Sequence, residues 1–168
     1  MSDQKSIPTV YMRGGTSKGL LFNKKDLPSD KRKLTKYLLA AMGSPDTRQI
    51  NGMGGATSVT SKVCIISKSS EIGVDIDYFF AQVVVDQALV DYGPTCGNML
   101  SAVGPYCIEQ GLIEAETDNT KIIIRAVNTG SIIEATIPTP NKKILYSGNY
   151  EIAGVPGEGA PILLKFKN

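Results

Sequence analysis

The sequence predicts an α+β fold in which a curled, barrel-like sheet of mixed or antiparallel strands wraps around one buried α-helix. Three observations carry this. Residues 96–110 are apolar nearly all round: Met99, Leu100, Ala102, Val103, Tyr106, Cys107 and Ile108 leave no polar face before Glu109 and Gln110. Short alternating segments bounded by turn residues lie on both sides of that run. Only one other stretch, residues 30–42, has the spacing of an amphipathic helix, and such a helix belongs outside the sheet.

In chain order, residues 1–6 read as a loose polar start. Residues 7–12 read as a strand and residues 20–22 as its returning partner. The Gly-rich turn Arg13-Gly14-Gly15-Thr16-Ser17-Lys18-Gly19 joins them into a hairpin. The turn lacks the GxxxxGK[ST] spacing of a phosphate-binding loop. Taken alone, it is a hairpin tip with solvated Arg and Lys. In residues 30–42, Leu34, Tyr37, Leu38 and Ala41 fall at helical spacing, and Ser29 suits the cap. Residues 46–57 form a long glycine-rich loop, either a flexible connection or a functional one. Its GMGGAT does not complete a dinucleotide fingerprint.

Residues 58–67 follow as a strand with Val59, Val63 and Ile65 on one face and Thr60, Lys62, Cys64 and Ile66 on the other. Residues 72–85 read as a strand pair or one bent strand, with Asp75 and Asp77 on its exposed side. A short strand at 88–91 leads through Tyr92-Gly93-Pro94 to Thr95, the expected N-cap of the central helix. Pro105 predicts a kink in that helix and Gly111 its end. Residues 120–127 and 131–137 form a hairpin across Asn128-Thr129-Gly130. Residues 143–147 and 150–152 read as further short strands.

The chain has 168 residues, 42% of them apolar, and a net charge of +2. This fits one domain with a real core and predicts no nucleic-acid partner. No apolar run is long enough to span a bilayer. Cys64, Cys96 and Cys107 show no CxxC spacing, and no signal peptide is apparent, so reduced thiols in the cytoplasm are expected. Histidine is absent, which excludes Ser-His-Asp and Cys-His catalysis within the chain and argues against zinc. No metal or cofactor is expected.

Two residues carry potential chemistry. Cys96 opens the buried helix, where partial positive charge and free N–H groups favour a carboxylate or a thiolate. Its plainer reading is a small buried residue. Lys62 has apolar neighbours on both strand faces. It either extends to water, as most lysines do, or occupies a pocket where it can exchange a proton near neutral pH.

MRGGTSKG, DTRQINGMGGATSVTSK and YGPTCGNMLSAVGPYCIE, in this order, resemble the 2-methylaconitate isomerases of the PrpF family. Relatives include 4-oxalomesaconate tautomerase and methylitaconate isomerase. The resemblance runs from about Val10 to Ile162. More distantly, CGN is similar to the motif of diaminopimelate epimerase and proline racemase. It implies two like halves, each a curled sheet around a central helix, with the active site between them. It also implies cofactor-free proton transfer at carbon on small unsaturated di- or tricarboxylates. Carried over by motif, Lys62 and Cys96 are the catalytic acid/base pair, with the order left open. Thr16, Ser17, Lys18, Gly97, Asn98 and Met99 are the implied substrate-binding residues. Asn51 stands where the family often has Asp.

The segment GVPGEGAPI, residues 154–162, resembles the family's crossing into its second half. The expected organisation is therefore a single domain, residues 1–168, equivalent to the N-terminal half, with 154–168 beginning the crossing. Such a unit is expected to need a second-half chain or self-association to complete its cleft. The alternative is a non-catalytic carboxylate-binding or interaction domain.

Overall fold

The computed structural model describes residues 4–167, so the first three residues of the predicted polar start lie outside it. Ten strands and two helices follow. The first hairpin is β1 (Val10–Gly14) and β2 (Ser17–Asn23). Its tip is only Gly15 and Thr16, with Gly14 paired to Ser17 and Gly15 at φ +52°. A left-handed glycine lets the strands run to the tip. Arg13 and Lys18 are consequently strand residues rather than turn residues.

Helix α1 (Lys31–Met42) follows. Its cap is Asp30 instead of Ser29: the Asp30 carboxylate accepts from Lys33 N–H at 2.9 Å. Gly43, at φ +81°, closes the other end. Strands β3 (Lys62–Lys68) and β4 (Ile76–Val83) come next, both shorter than the sequence suggested. Residues 58–61 turn into β3, and Val59 is exposed. Then come β5 (Val90–Asp91), α2 (Gly97–Glu109), β6 (Asp118–Ala126) and β7 (Ser131–Thr139).

The last strands are β8 (Tyr150–Glu151), β9 (Glu158–Gly159) and β10 (Leu163–Lys167). Residues 143–147, expected as a strand, form none: a short 3₁₀ turn at Pro140–Lys142 redirects the chain. Asn141 and Lys142 make that turn in the left-handed region, at φ +54° and +61°. The edge position falls instead to β10, which pairs with β7.

The main sheet runs β1-β2-β3-β4-β6-β7-β10, with β5 attached to β4. It is mixed: β2–β3 and β4–β6 are parallel, and the other pairs are antiparallel. Helix α2 touches β1, β2 and β3 on one side and β7 and β10 on the other, so the sheet curls around it. Alternation divides the sheet into two faces. The inner face packs Leu21, Cys64, Ile66, Tyr78, Phe80, Ile122, Ile133 and their neighbours onto Met99, Leu100 and Val103 of α2. The outer face packs Leu20, Phe22, Val63, Ile65 and Ala81 under Leu38 and Met42 of α1.

Met99, Leu100 and Val103 are fully buried, each stabilising the fold by about 1.5–3 kcal/mol. α2 runs unbroken through Pro105, and Gly111 follows its last turn at φ +67°. Neither helix is long and apolar enough to cross a membrane among the described residues.

Candidate active site

The candidate site is built around the start of α2. Its N-cap is Cys96 rather than the expected Thr95. Cys96 has extended backbone angles, φ −133° and ψ 107°, and its side chain makes no cap hydrogen bond. No acidic residue lies in the first turn. The N–H groups that a helix start leaves free therefore have no side-chain acceptor. A Cβ built on Gly97 meets nothing within 4 Å, so the space before those N–H groups is open.

The β1–β2 tip packs against this helix start. A Cβ on Gly14 lies 2.5 Å from the Asn98 carbonyl oxygen, and one on Gly15 lies 2.5 Å from Asn98 Oδ1. Only glycine permits that approach. Asn98 Nδ2 donates to Thr16 Oγ1 at 2.9 Å, tying the tip to the helix. Two buried hydroxyl oxygens nearby, Ser17 Oγ and Thr95 Oγ1, have no hydrogen-bond partner among the described residues. Buried hydroxyls are normally paired. These two lie beside the uncapped helix start.

Lys62 begins β3 on the inner face and is 9% exposed. Its ammonium donates to Gln82 Oε1 at 2.8 Å and lies 5.1 Å from the Phe80 ring centroid. No carboxylate pairs with it among the described residues. Cys64 lies near enough to feel both this lysine and Cys96, and Tyr78 lies beside it. The Tyr78 hydroxyl donates to the Cys96 carbonyl at 3.2 Å and also hydrogen-bonds Cys64. Burial, with the nearby Cys96, pushes the Cys64 thiol far up, and burial likewise raises the Tyr78 hydroxyl. Both shifts favour the neutral forms of Cys64 and Tyr78.

Of the residues singled out in the sequence, Thr16, Ser17, Gly97 and Asn98 gather at the helix start. Met99 has its side chain in the core and can offer only its backbone N–H. Lys18 does not join them. It points to the outer face, its ammonium 5.6 Å from the Tyr11 ring centroid, because β2 alternation directs Ser17 and Gly19 inward instead. The loop at 46–57 is pinned by buried Gln49. That side chain donates to Ser44 Oγ and Ser61 Oγ and accepts from Ala56 N–H. Ser61 directly precedes Lys62, so this loop braces the lysine.

Sequence reasoning missed Gln82 and Tyr78. The signal was present: in IDYFFAQV, alternation places Tyr78, Phe80 and Gln82 on one face. It also missed a cavity of about 830 Å³ on the other side of the helix start, which Arg13, Gly97, Asn98, Tyr146 and Tyr150 help to line. The cavity shares the α2 start with the Lys62–Cys96 site but is lined by neither of those residues.

Residues 4–168 match the family described as PrpF protein. The chain belongs to the PrpF family. The (4E)-oxalomesaconate Delta-isomerase of Novosphingobium sp. (strain KA1) is 51% identical over 163 residues, which cover 97% of this chain and 46% of that protein. The 3-methylitaconate isomerase of Eubacterium barkeri is 44% identical over 168 residues, covering 100% of this chain and 44% of that protein. A crystal structure of methylitaconate-delta-isomerase superposes with a TM-score of 0.94 at 44% identity, covering 97% of this chain and 42% of that one. The chain thus spans less than half the length of the PrpF relatives it matches.

Proposed function

We propose that this unit carries the proton-transfer site of a cofactor-independent isomerase that shifts the double bond of a small unsaturated polycarboxylate. The uncapped start of α2 supports the reading most directly: Cys96 leads it, Gly97 leaves open space before it, and two orphan hydroxyls lie beside it. A substrate carboxylate fits that start, accepting from the Gly97 and Asn98 N–H groups. The exposed Thr16 supplies a hydroxyl to the same anion, and buried Ser17 lies behind it. Names of relatives point to the same substrate class, since methylitaconate, oxalomesaconate and 2-methylaconitate are all small unsaturated carboxylates.

The chemistry balances without a co-reactant. One of Lys62 and Cys96, in its basic form, removes a proton from the carbon next to the double bond. The electron pair delocalises through the allylic system onto the carboxylate held by the helix start, which stabilises the developing charge. The other residue delivers a proton at the far allylic carbon, and the double bond has moved one position. Such proton transfer is worth about 10²–10⁴-fold in rate.

The reading includes a second, like unit that closes the cleft and excludes water. Exposed Tyr146, Tyr150 and Leu145 beside the cavity suit such a cover. Free thiols at all three cysteines suit a reducing compartment such as the cytoplasm.

The test is proton exchange from methylaconitate, methylitaconate and oxalomesaconate in deuterated water, followed by NMR with and without a supplied second unit. Exchange that rises on adding the second unit and falls about 100-fold or more in Lys62→Ala and in Cys96→Ser is expected. Binding of these acids with no exchange under either condition makes the unit a carboxylate-binding domain instead.

A further inference from the structure

We propose that Gln82 is the residue that positions the Lys62 amine for proton transfer, a role that rests on the function proposed above. Lys62 and Gln82 are direct cross-strand partners on β3 and β4, with both side chains on the inner face. Gln82 Oε1 accepts from Lys62 Nζ at 2.8 Å, while Gln82 Nε2 donates to the Ser61 carbonyl at 2.8 Å and the Ser58 carbonyl at 3.1 Å. Those two carbonyls can only accept. A flipped amide would place its oxygen against two oxygens and its NH₂ group against an ammonium. The backbone of residues 58–61 therefore fixes which end of Gln82 meets the lysine.

The choice of a neutral acceptor has chemical meaning. A carboxylate at this position would form an ion pair and hold Lys62 as an ammonium, opposing any step in which it gives up a proton. An apolar side chain would leave the amine free to rotate about its long stem, and misplacement by about 1 Å costs on the order of 100-fold in rate. An amide orients the amine without neutralising its charge. The Phe80 ring below it limits the remaining directions.

Other titratable groups share this surroundings. Cys64 follows Lys62 on the same strand face, Tyr78 lies further along β4, and Cys96 lies at the start of α2. Asp91 of β5 pairs with Gln82 from its other side, and its carboxylate accepts from Gly93 N–H at 2.8 Å. On β2 the residue opposite Lys62 is Gly19, which adds no charge.

The experiment compares Gln82→Glu and Gln82→Met with Lys62→Ala. Nitrogen-15 labelling of lysine amines gives a resonance for Lys62, identified by its loss in Lys62→Ala. In the Gln82→Glu chain this resonance is expected to stay protonated to a pH at least about one unit higher than in the parent chain. In the exchange assay with the second unit present, the limb of the pH–rate profile that follows Lys62 shifts up equally. At its optimum, Gln82→Met loses about 10- to 100-fold in kcat with KM changed by less than about threefold.

An unchanged Lys62 titration in folded Gln82→Glu overturns the proposal, even where Lys62→Ala abolishes exchange and the function stands. Full exchange activity in folded Gln82→Met overturns it as well. Lys62→Ala with undiminished exchange removes the catalytic role of Lys62 and that of Gln82 with it, a result readable without either Gln82 variant. Should Gln82→Met fail to fold, as judged by circular dichroism, the Gln82→Glu titration and pH profile decide alone.

Discussion

The two helices differ most at their N-termini. α1 begins with a cap: Asp30 accepts from Lys33 N–H, and the helix presents Lys31, Arg32 and Lys33 to solvent. α2 begins without one: Cys96 makes no cap hydrogen bond, and Gly97 and Asn98 of its first turn are exposed although the middle of the helix is buried. Stability alone would favour a cap at this start as well. The difference is what the proposed function needs: α1 finishes a surface, while the first turn of α2 is free to accept a carboxylate. The sheet repeats the contrast: its outer face under α1 is a plain apolar core, while the inner face toward α2 ends in Lys62, Ser17 and Gln82.

The largest test of this contrast is core truncation. Leu100→Ala in α2 removes a fully buried side chain enclosed by the sheet and should cost about 3–5 kcal/mol by urea denaturation. Leu34→Ala in α1 removes a partly buried one and should cost roughly 1 kcal/mol, because less area leaves contact. Equal losses would mean that α2 is no more central than α1.

The second test is alkaline. Burial pushes the Cys107 thiol of α2 up to about 12, from about 9. Tyr106 beside it is likewise raised to about 12, mainly by burial. The sign follows from proton counting: above about pH 9 the unfolded chain gives up the Cys107 proton while the folded chain retains it. Stability present below pH 9 is therefore lost as pH rises from about 9 toward 12, by as much as about 1.4 kcal/mol per pH unit for one fully developed proton. Cys107→Ala should flatten the dependence of the urea midpoint on pH over that window. An equally steep profile would place the alkaline sensitivity elsewhere.

The third test removes the cap that α1 has. Asp30→Ala should cost about 1 kcal/mol, seen as a lower urea midpoint with an unchanged slope. Substrate exchange should be untouched, because α1 packs on the outer face. A loss of exchange would couple the two faces.

The architecture was legible because the apolar run of α2 has no polar face and strands alternate around it. Failures arose where chain direction depends on single backbone angles. Gly15 at φ +52° tightens the first hairpin to two residues, and Asn141 and Lys142, at φ +54° and +61°, turn the chain away from the strand expected at 143–147. The candidate site residues could be picked out as motifs, but their directions could not. TSK gave Lys62 no partner, since Gln82 lies twenty residues later and meets it only through strand pairing. Ser17 and Lys18 look equivalent in sequence, yet a period of two sends them to opposite faces.

The smallest expected effect on stability is the sharpest on function. Gly97→Asp places a carboxylate in the first turn of α2, where none exists. The position is exposed, and the space around a new Cβ is open. An acid there complements the helix dipole and replaces a flexible glycine, so stability should rise by about 0.5–1 kcal/mol. The same charge occupies the site proposed for a substrate carboxylate and repels it. Trans-aconitate binding, followed by chemical-shift changes at Asn98 and Ser17, should be lost even though the protein becomes more stable. A variant that is stabilised and still binds would place the anion somewhere other than the helix start. A variant that is destabilised would mean that the first turn of α2 is held by contacts an added side chain disrupts. Only the combination of a more stable fold and a lost ligand matches a helix start left uncapped for binding.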